Sequence, residues 1–546
     1  MSRSTSNAGF LFVGLSLLAG SRATWGADGD GQPLAANVGR VVQALESLGS
    51  PLPELARAEI AVAIASKDAE RIQREIDPHV LFVVTINPEE RVKVARGPAR
   101  AALRQGGYTP VLVKVLNEAV STKPLRCSSP QSGLVVAGAA DLSMVRQDQR
   151  HLKEGEVRGG APERFLQIET FTSQPMTPNL SGLAIEYAIV LIHSAEAGKR
   201  EATIGFDVGQ GTADLGFRGE VPVLFDVRPA IPVRLGVRDH DGRPTVAHFT
   251  FIDATGHVQP PQPKRTAPDL FFQRQVYRED GGTVYLAPGR VSVTYGRGPE
   301  YRLKTLEWVV PEQGEARLDV TLERWVDPSA HGYFSGDHHI HAAGCAHYTD
   351  PSQGVEPKDM FLQVKGEGLN VGCVLTWGPC YDYQRRFFGP RPDGLSEPLT
   401  LIKYDVEVSG FGSQALGHVC LLNLRDQTYP GSDGTATKGW PTWTTPVLRW
   451  ARDQGAVVGY AHSGSGLEIN PGAAARRLLA SLDQNADAAL TSVEAESGLL
   501  PGDFSTIDAD RDGALTLAEL DVAHAKAADT LPNLAIPEMS GVGAME

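Results

Sequence analysis

The sequence predicts a multidomain protein: an N-terminal helical segment, two β-sandwich modules, and a C-terminal α/β unit interrupted by an acidic stretch. Three observations predict this. The chain has 546 residues, which at about 150 residues per domain allows three to four domains. Short β-rich runs separated by Gly, Pro and Asp turns dominate residues 78–325, and 58 glycines and 37 prolines suit strands and loops. From residue 332, strand-like runs alternate with helix-like ones, as βα units around a parallel sheet or barrel would. The composition, 42% hydrophobic and 21% charged, supports several cores and excludes wholesale disorder. A net charge of −14 argues against nucleic acid as a partner. Mean hydropathy is −0.18, and no apolar run of membrane-spanning length follows the N-terminus.

Residues 1–26 read as an export signal. Arg3 precedes the apolar run Gly9–Ala19, and small residues then offer cleavage points near Ala23 or Gly26. The expectation is an exported protein, periplasmic, secreted or at the cell surface, with no membrane span after cleavage. Five cysteines (Cys127, Cys345, Cys373, Cys380, Cys420) allow one disulfide within 345–420, but their density is far from a disulfide scaffold.

Residues 27–77 form the helical segment. Val41, Val42, Leu45, Leu48, Leu55, Ile60, Ile64, Ile72 and Ile76 recur at helical spacing, broken at Pro51 and Pro53. Residues 78–225 carry β runs at 80–84, 110–115, 185–190 and 202–206, predicting an antiparallel sandwich. Residues 226–327 repeat the alternation around the turn Asp239-His240-Asp241-Gly242 and over Gly282–Val293. This unit resembles the transthyretin-like or carboxypeptidase-regulatory sandwiches found on exported enzymes. In residues 328–546, strands are expected at 332–341, 369–377, 401–408, 418–424 and 456–462. Helices are expected at 357–367, 441–454 and 471–482.

The chemistry concentrates in Gly336-Asp337-His338-His339-Ile340-His341. Alternate strand residues share a face, so Asp337, His339 and His341 point one way, with Cα atoms two residues apart separated by roughly 6.6 Å. Two imidazoles at that spacing can converge on one ion. Glu407 closes a β run, His418 opens one and His462 closes another. Strand ends are where the functional side chains of βα barrels gather.

These residues resemble the PHP (polymerase and histidinol phosphatase) metallohydrolases, in the branch named for carbaryl hydrolase. The likeness covers 335–546 and rests on Gly-Asp-x-His-x-His at 336–341, the helix at 357–368, Val406-Glu407 before Gly417-His418, and Gly455 through His462. It implies a distorted (β/α)7 barrel holding two or three transition metals, zinc or manganese. His339 and His341 would hold the first ion, Glu407 would bridge ions, and His418, His462 and Glu546 would serve a second or third. Two departures stand out. The family has Thr-Asp-His where this chain reads Thr376-Trp377-Gly378, which speaks against a full three-metal set. The family's final Asp-x-His strand is also missing, so the barrel is expected to be incomplete at its C-terminal end. Cys345 and His347 are spare candidate ligands or plain loop residues.

Residues 481–530 hold eleven acids and two bases, nine of the fourteen net negative charges. Asp483, Asn485, Asp487, Ala489, Thr491 and Glu494 occupy EF-hand positions 1, 3, 5, 7, 9 and 12. Asp508, Asp510, Asp512, Ala514, Thr516 and Glu519 repeat them, with Gly513 at position 6. Ala488 replaces that glycine in the first loop, where a left-handed Cβ costs roughly 1–2 kcal/mol, so the first site should be the weaker. The loops start 25 residues apart, predicting a compact, dockerin-like pair at 480–525, inserted in the barrel. Its calcium would be structural.

The expected activity is metal-dependent hydrolysis of an ester, amide or phosphoester. A hydroxide held on the metal would attack, Glu407 would help hold charge at the centre, and Asp337 would orient a ligand imidazole. The rival expectation is a non-catalytic, exported calcium-binding or surface-binding protein with a degenerate PHP domain. The physiological substrate, whether small molecule or polymer, is not encoded in any motif. No P-loop, dinucleotide fingerprint or serine-nucleophile elbow is present.

Overall fold

The structure, a computed structural model, describes residues 31–133, 164–209, 218–265, 267–341, 355–377, 381–408, 419–432, 440, 444–460, 471–496 and 500–530. The expected export signal, residues 1–26, lies outside these residues.

Three helices, Gly31–Ser47, Glu54–Ser66 and Ala69–Ile76, open the described chain. Leu34, Val38, Val41 and Leu45 share one face of the first, spaced three and four apart, and all are buried, as is Leu48 just past its end. They do not form a separate unit. They pack on a five-stranded sheet whose order is 92–96, 80–86, 108–117, 185–194, 166–170. Asn37 clamps the contact, accepting Tyr187 N–H at 2.8 Å and donating to Tyr187 C=O at 3.1 Å. The other face of that sheet packs on a four-stranded sheet, order 102–104, 220–228, 198–207, 126–128. Val80–Ile86 is therefore covered on both faces, which explains the apolar run Val80–Val84. It pairs in parallel with Tyr108–Asn117, so the sandwich is mixed where antiparallel pairing was expected.

Residues 231–322 form a second sandwich. A three-stranded sheet (283–286, 231–238, 316–321) faces a sheet built on 246–253, 289–296 and 304–310. Phe249, Phe251, Val233, Leu235, Val291 and Val293 fill the space between. A cavity of about 700 Å³ opens where the two sandwiches meet, lined by Tyr108, His193, Pro261, Lys264 and Asp269 among others.

Among the described residues, the expected (β/α)7 barrel does not form. Residues 336–460 build an open five-stranded sheet instead, in the order Gly336–Ile340, Val371–Thr376, Leu401–Val408, Val419–Leu422, Val457–Tyr460. The first three strands run parallel, and the last two are antiparallel to their neighbours. The physical reason lies in the connection. Only residues 409–418 separate the third strand from the fourth, and a parallel return needs a dozen residues or more. The described chain is mainly β, with two sandwiches and one open mixed sheet. Helix Pro357–Gly366 covers one face of the site sheet through Met360, Phe361 and Val364. Residues 471–530 fold around a core of Ala475, Leu482, Leu490, Ile507, Leu515 and Leu520. With no barrel formed, this is not an insertion in one. Among the described residues, no helix is long and apolar enough to cross a membrane.

Candidate metal centre

The parallel register brings the His-x-His strand to one edge of the site sheet, with Leu401–Val408 two places away. On Leu401–Val408, alternate residues divide between the faces. Ile402, Tyr404 and Val406 enter apolar clusters, while Lys403, Asp405 and Glu407 share the opposite face. Both faces are covered, so this strand is buried at every position after the first.

His339 Nε2 lies 3.1 Å and His341 Nε2 2.7 Å from the same oxygen, Oε2 of Glu407. The two ring nitrogens are 3.0 Å apart. The Glu407 side chain is 2% exposed and the imidazoles 10% and 15%, so the cluster is withdrawn from bulk water. Tetrahedral ions with bonds of about 2.0–2.2 Å to nitrogen and oxygen set those ligands roughly 3.3 Å apart. The triangle here has edges of 2.7–3.1 Å, so a few tenths of an ångström of opening admits a cation. The donor set, two imidazoles and a carboxylate, fits zinc or manganese.

Asp337 takes a different part from the one expected. Its Oδ1 accepts the backbone N–H of His339 at 2.9 Å rather than a ring N–H. The register between the first two strands shifts between Asp337 and Ile340, and this contact holds the irregular backbone. Asp405, on the same face as Glu407, belongs to the scaffold. It pairs with Lys403 Nζ at 3.0 Å and accepts the N–H groups of Asn423 and Leu424 and the amide of Gln427. Burial raises its carboxyl above the ordinary range.

Cys420 is the residue sequence reasoning missed. It stands directly across from Glu407 in the antiparallel register. Its Sγ, a carboxylate oxygen of Glu407 and a ring nitrogen of His339 lie within 4.8 Å of one another. Burial, then the Glu407 charge, push its thiol well above the usual range. The signal existed in the alternation Val419-Cys420-Leu421, but reading it needs the strand's direction.

The acidic loops have their own geometry. Position 6 is left-handed in both, φ 66° at Ala488 and 88° at Gly513, as is position 4, φ 61° at Ala486 and 62° at Arg511. Asp483 accepts the N–H groups of Ala486 and Ala488, and Asp508 those of Asp512 and Gly513. Strands Ala489–Thr491 and Ala514–Thr516 pair antiparallel, with Leu490 opposite Leu515 at position 8 of each loop. Thr491 caps the next short helix reciprocally with Glu494. Backbone N–H donors hold the Glu494 and Glu519 carboxyls below the usual range. Asp508, Asp510 and Glu519 bring one oxygen each within 4.8 Å of the others.

No protein-family model matches this chain, and no curated protein is significantly similar to it. Some solved structures are similar in part. The major pilin subunit BcpA of Bacillus cereus is 12% identical over 45% of this chain and 70% of its own, with a TM-score of 0.17. A streptococcal ancillary pilin is 12% identical over 45% of this chain and 62% of its own, TM-score 0.15. The Bacillus anthracis TIE protein is 9% identical over 48% of this chain and 45% of its own, TM-score 0.14. These overlaps are too shallow to assign a fold or an activity.

Of the expected metal residues, the structure brings together His339, His341 and Glu407. His418, His462, Glu546, Cys345 and His347 lie outside the described residues. Trp377, where the resembled family has an acid, packs on Tyr381 and Trp440 with ring centroids 5.7 and 4.9 Å away. That strand end is committed to an aromatic core.

Proposed function

We propose that this chain is an exported, metal-dependent hydrolase acting on an ester, amide or phosphoester, with calcium as a structural ion in the 471–530 unit. The observation that carries it is the meeting of the half-buried His339 and His341 at the buried carboxylate of Glu407. A divalent transition metal held there would supply Lewis acidity and lower the pKa of water toward neutral. His339 and His341 would hold the ion, and Glu407 would place a negative charge beside it. Asp337 fixes the His339 backbone, so the ring approaches from a set position. Low exposure excludes bulk water and strengthens each electrostatic contact. The resemblance to PHP metallohydrolases supports these roles for the ligands and adds His418, His462 and Glu546 as candidates. Export rests on the signal-like residues 1–26.

The test is metal analysis together with a phosphoester, ester and amide panel. Wild type should carry at least about one transition-metal equivalent per chain beyond its calcium. His339→Ala and Glu407→Gln should each lower turnover at least about 100-fold, the scale on which loss of a directly acting group is felt. Less than half an equivalent of metal in wild type would sink the proposal. For calcium, EGTA should speed hydrogen exchange at the Leu490 and Leu515 amides, and unchanged exchange refutes the calcium assignment.

The Trp377 substitution favours a second reading, a calcium-loaded surface protein with a degenerate centre. Inactivity of a fully metal-loaded wild type across the whole panel would favour it.

A further inference from the structure

We infer that Cys420 is a thiolate ligand of the ion held by His339 and Glu407, making this a mixed nitrogen, oxygen and sulfur centre that takes zinc rather than manganese. The inference rests on the hydrolase reading of His339 and Glu407 as ligands and goes beyond it in naming a further donor and the metal it selects.

The geometry comes from the sheet. Glu407 and Cys420 are direct partners across the antiparallel pair, and such partners project side by side from the same face. Their neighbours Val406, Val408, Val419 and Leu421 turn the other way, into an apolar cluster. Cys420 therefore sits on the face that carries Lys403, Asp405 and Glu407, where an apolar side chain gains little. It is 3% exposed and, among the described cysteines, free of any disulfide. Its Sγ is within 4.8 Å of both the His339 nitrogen and the Glu407 oxygen. Zinc with bonds of about 2.3 Å to sulfur and 2.0–2.1 Å to nitrogen sets those atoms roughly 3.6 Å apart, within reach of one side-chain rotation.

The chemistry gives the selectivity. Imidazole and carboxylate accept either metal, whereas a soft thiolate suits zinc and not manganese. One carboxylate and one thiolate also balance a divalent charge in a site with little water. With His339, His341 and Glu407, Cys420 would complete four protein donors, and the reacting water would enter by expansion to five ligands.

Cobalt reports thiolate ligation directly. The full chain, stripped of metal and refilled with Co(II) in the presence of calcium, should show the intense near-ultraviolet sulfur-to-cobalt charge-transfer band of a tetrahedral thiolate site. Cys420→Ser should abolish that band, while Cys373→Ser keeps it. A wild-type site that binds cobalt without the band, or a band that survives Cys420→Ser, overturns the inference and leaves the hydrolase reading standing. Failure of wild type to bind cobalt at all overturns both. X-ray absorption at the zinc edge needs no variant: a sulfur neighbour at about 2.3 Å is expected, and a shell of nitrogen and oxygen alone overturns the inference.

Discussion

At the scale of single residues, one short strand sets two imidazoles against the buried carboxylate of Glu407. His339 and His341 were legible because period-two alternation puts both on one face whatever the strand pairs with. Glu407 was legible as the end of a β run, but its difference from Asp405 was not. Both share a face, and only their neighbours assign them, Lys403 and Gln427 to one and two imidazoles to the other. Ala488 is the clearest single-residue effect in the acidic unit. A Cβ there is held at φ 66°, in a conformation glycine adopts freely. Ala488→Gly should relieve about 1–2 kcal/mol, and with the first loop taking calcium as proposed, its binding should tighten by up to about 5- to 30-fold. Calcium titration calorimetry checks this, with Asp508→Ala silencing the second loop so that the first is read alone.

At the scale of elements, existence and type were readable and pairing was not. All five strands and the three longer helices of residues 336–482 fall where hydrophobic periodicity puts them. Antiparallel entry of the fourth and fifth strands follows from chain connection and from which neighbour covers which face. The helix Pro357–Gly366 shows how closely elements are fitted. A Cβ on Gly366 would stand 2.3 Å from the Tyr277 ring, and one on Gly298 would stand 1.8 Å from Glu367 C=O. Arg297 donates to Lys365 C=O at 3.0 Å, and Tyr277 OH donates to Glu367. These contacts dock the site sheet's helix on the second sandwich. Gly366→Ala should therefore cost about 1–3 kcal/mol by overpacking. The loss should appear as a lower denaturation midpoint and faster exchange in 357–376, with the first sandwich unaffected.

At the scale of the whole molecule, the joints between modules carry groups that respond to pH. His193, beside the inter-sandwich cavity and 5.2 Å from the Tyr108 ring, is pushed down to about 4 by burial. Unfolded, it titrates near 6.5, so between these values the unfolded chain binds the extra proton. Its contribution to stability is complete above pH 6.5 and is lost as pH falls from 6.5 toward 4, by about 1–3 kcal/mol. His193→Gln should flatten that limb of the stability curve relative to wild type, as urea unfolding at pH 4.5, 5.5 and 7 would show. A parallel curve for the variant would refute it.

The amino-acid order alone determined the helical opening, the run of β modules, the His-x-His strand and the two oxygen-rich loops. Each of these is a local pattern of period or spacing, complete within a few dozen residues. Only the tertiary structure decided that the opening helices roof a sheet, that the site sheet stays open, and that Cys420 stands across from Glu407. Those outcomes depend on strand direction and on which faces are covered. Such choices are made by burial between segments far apart in the chain, and no local pattern records them.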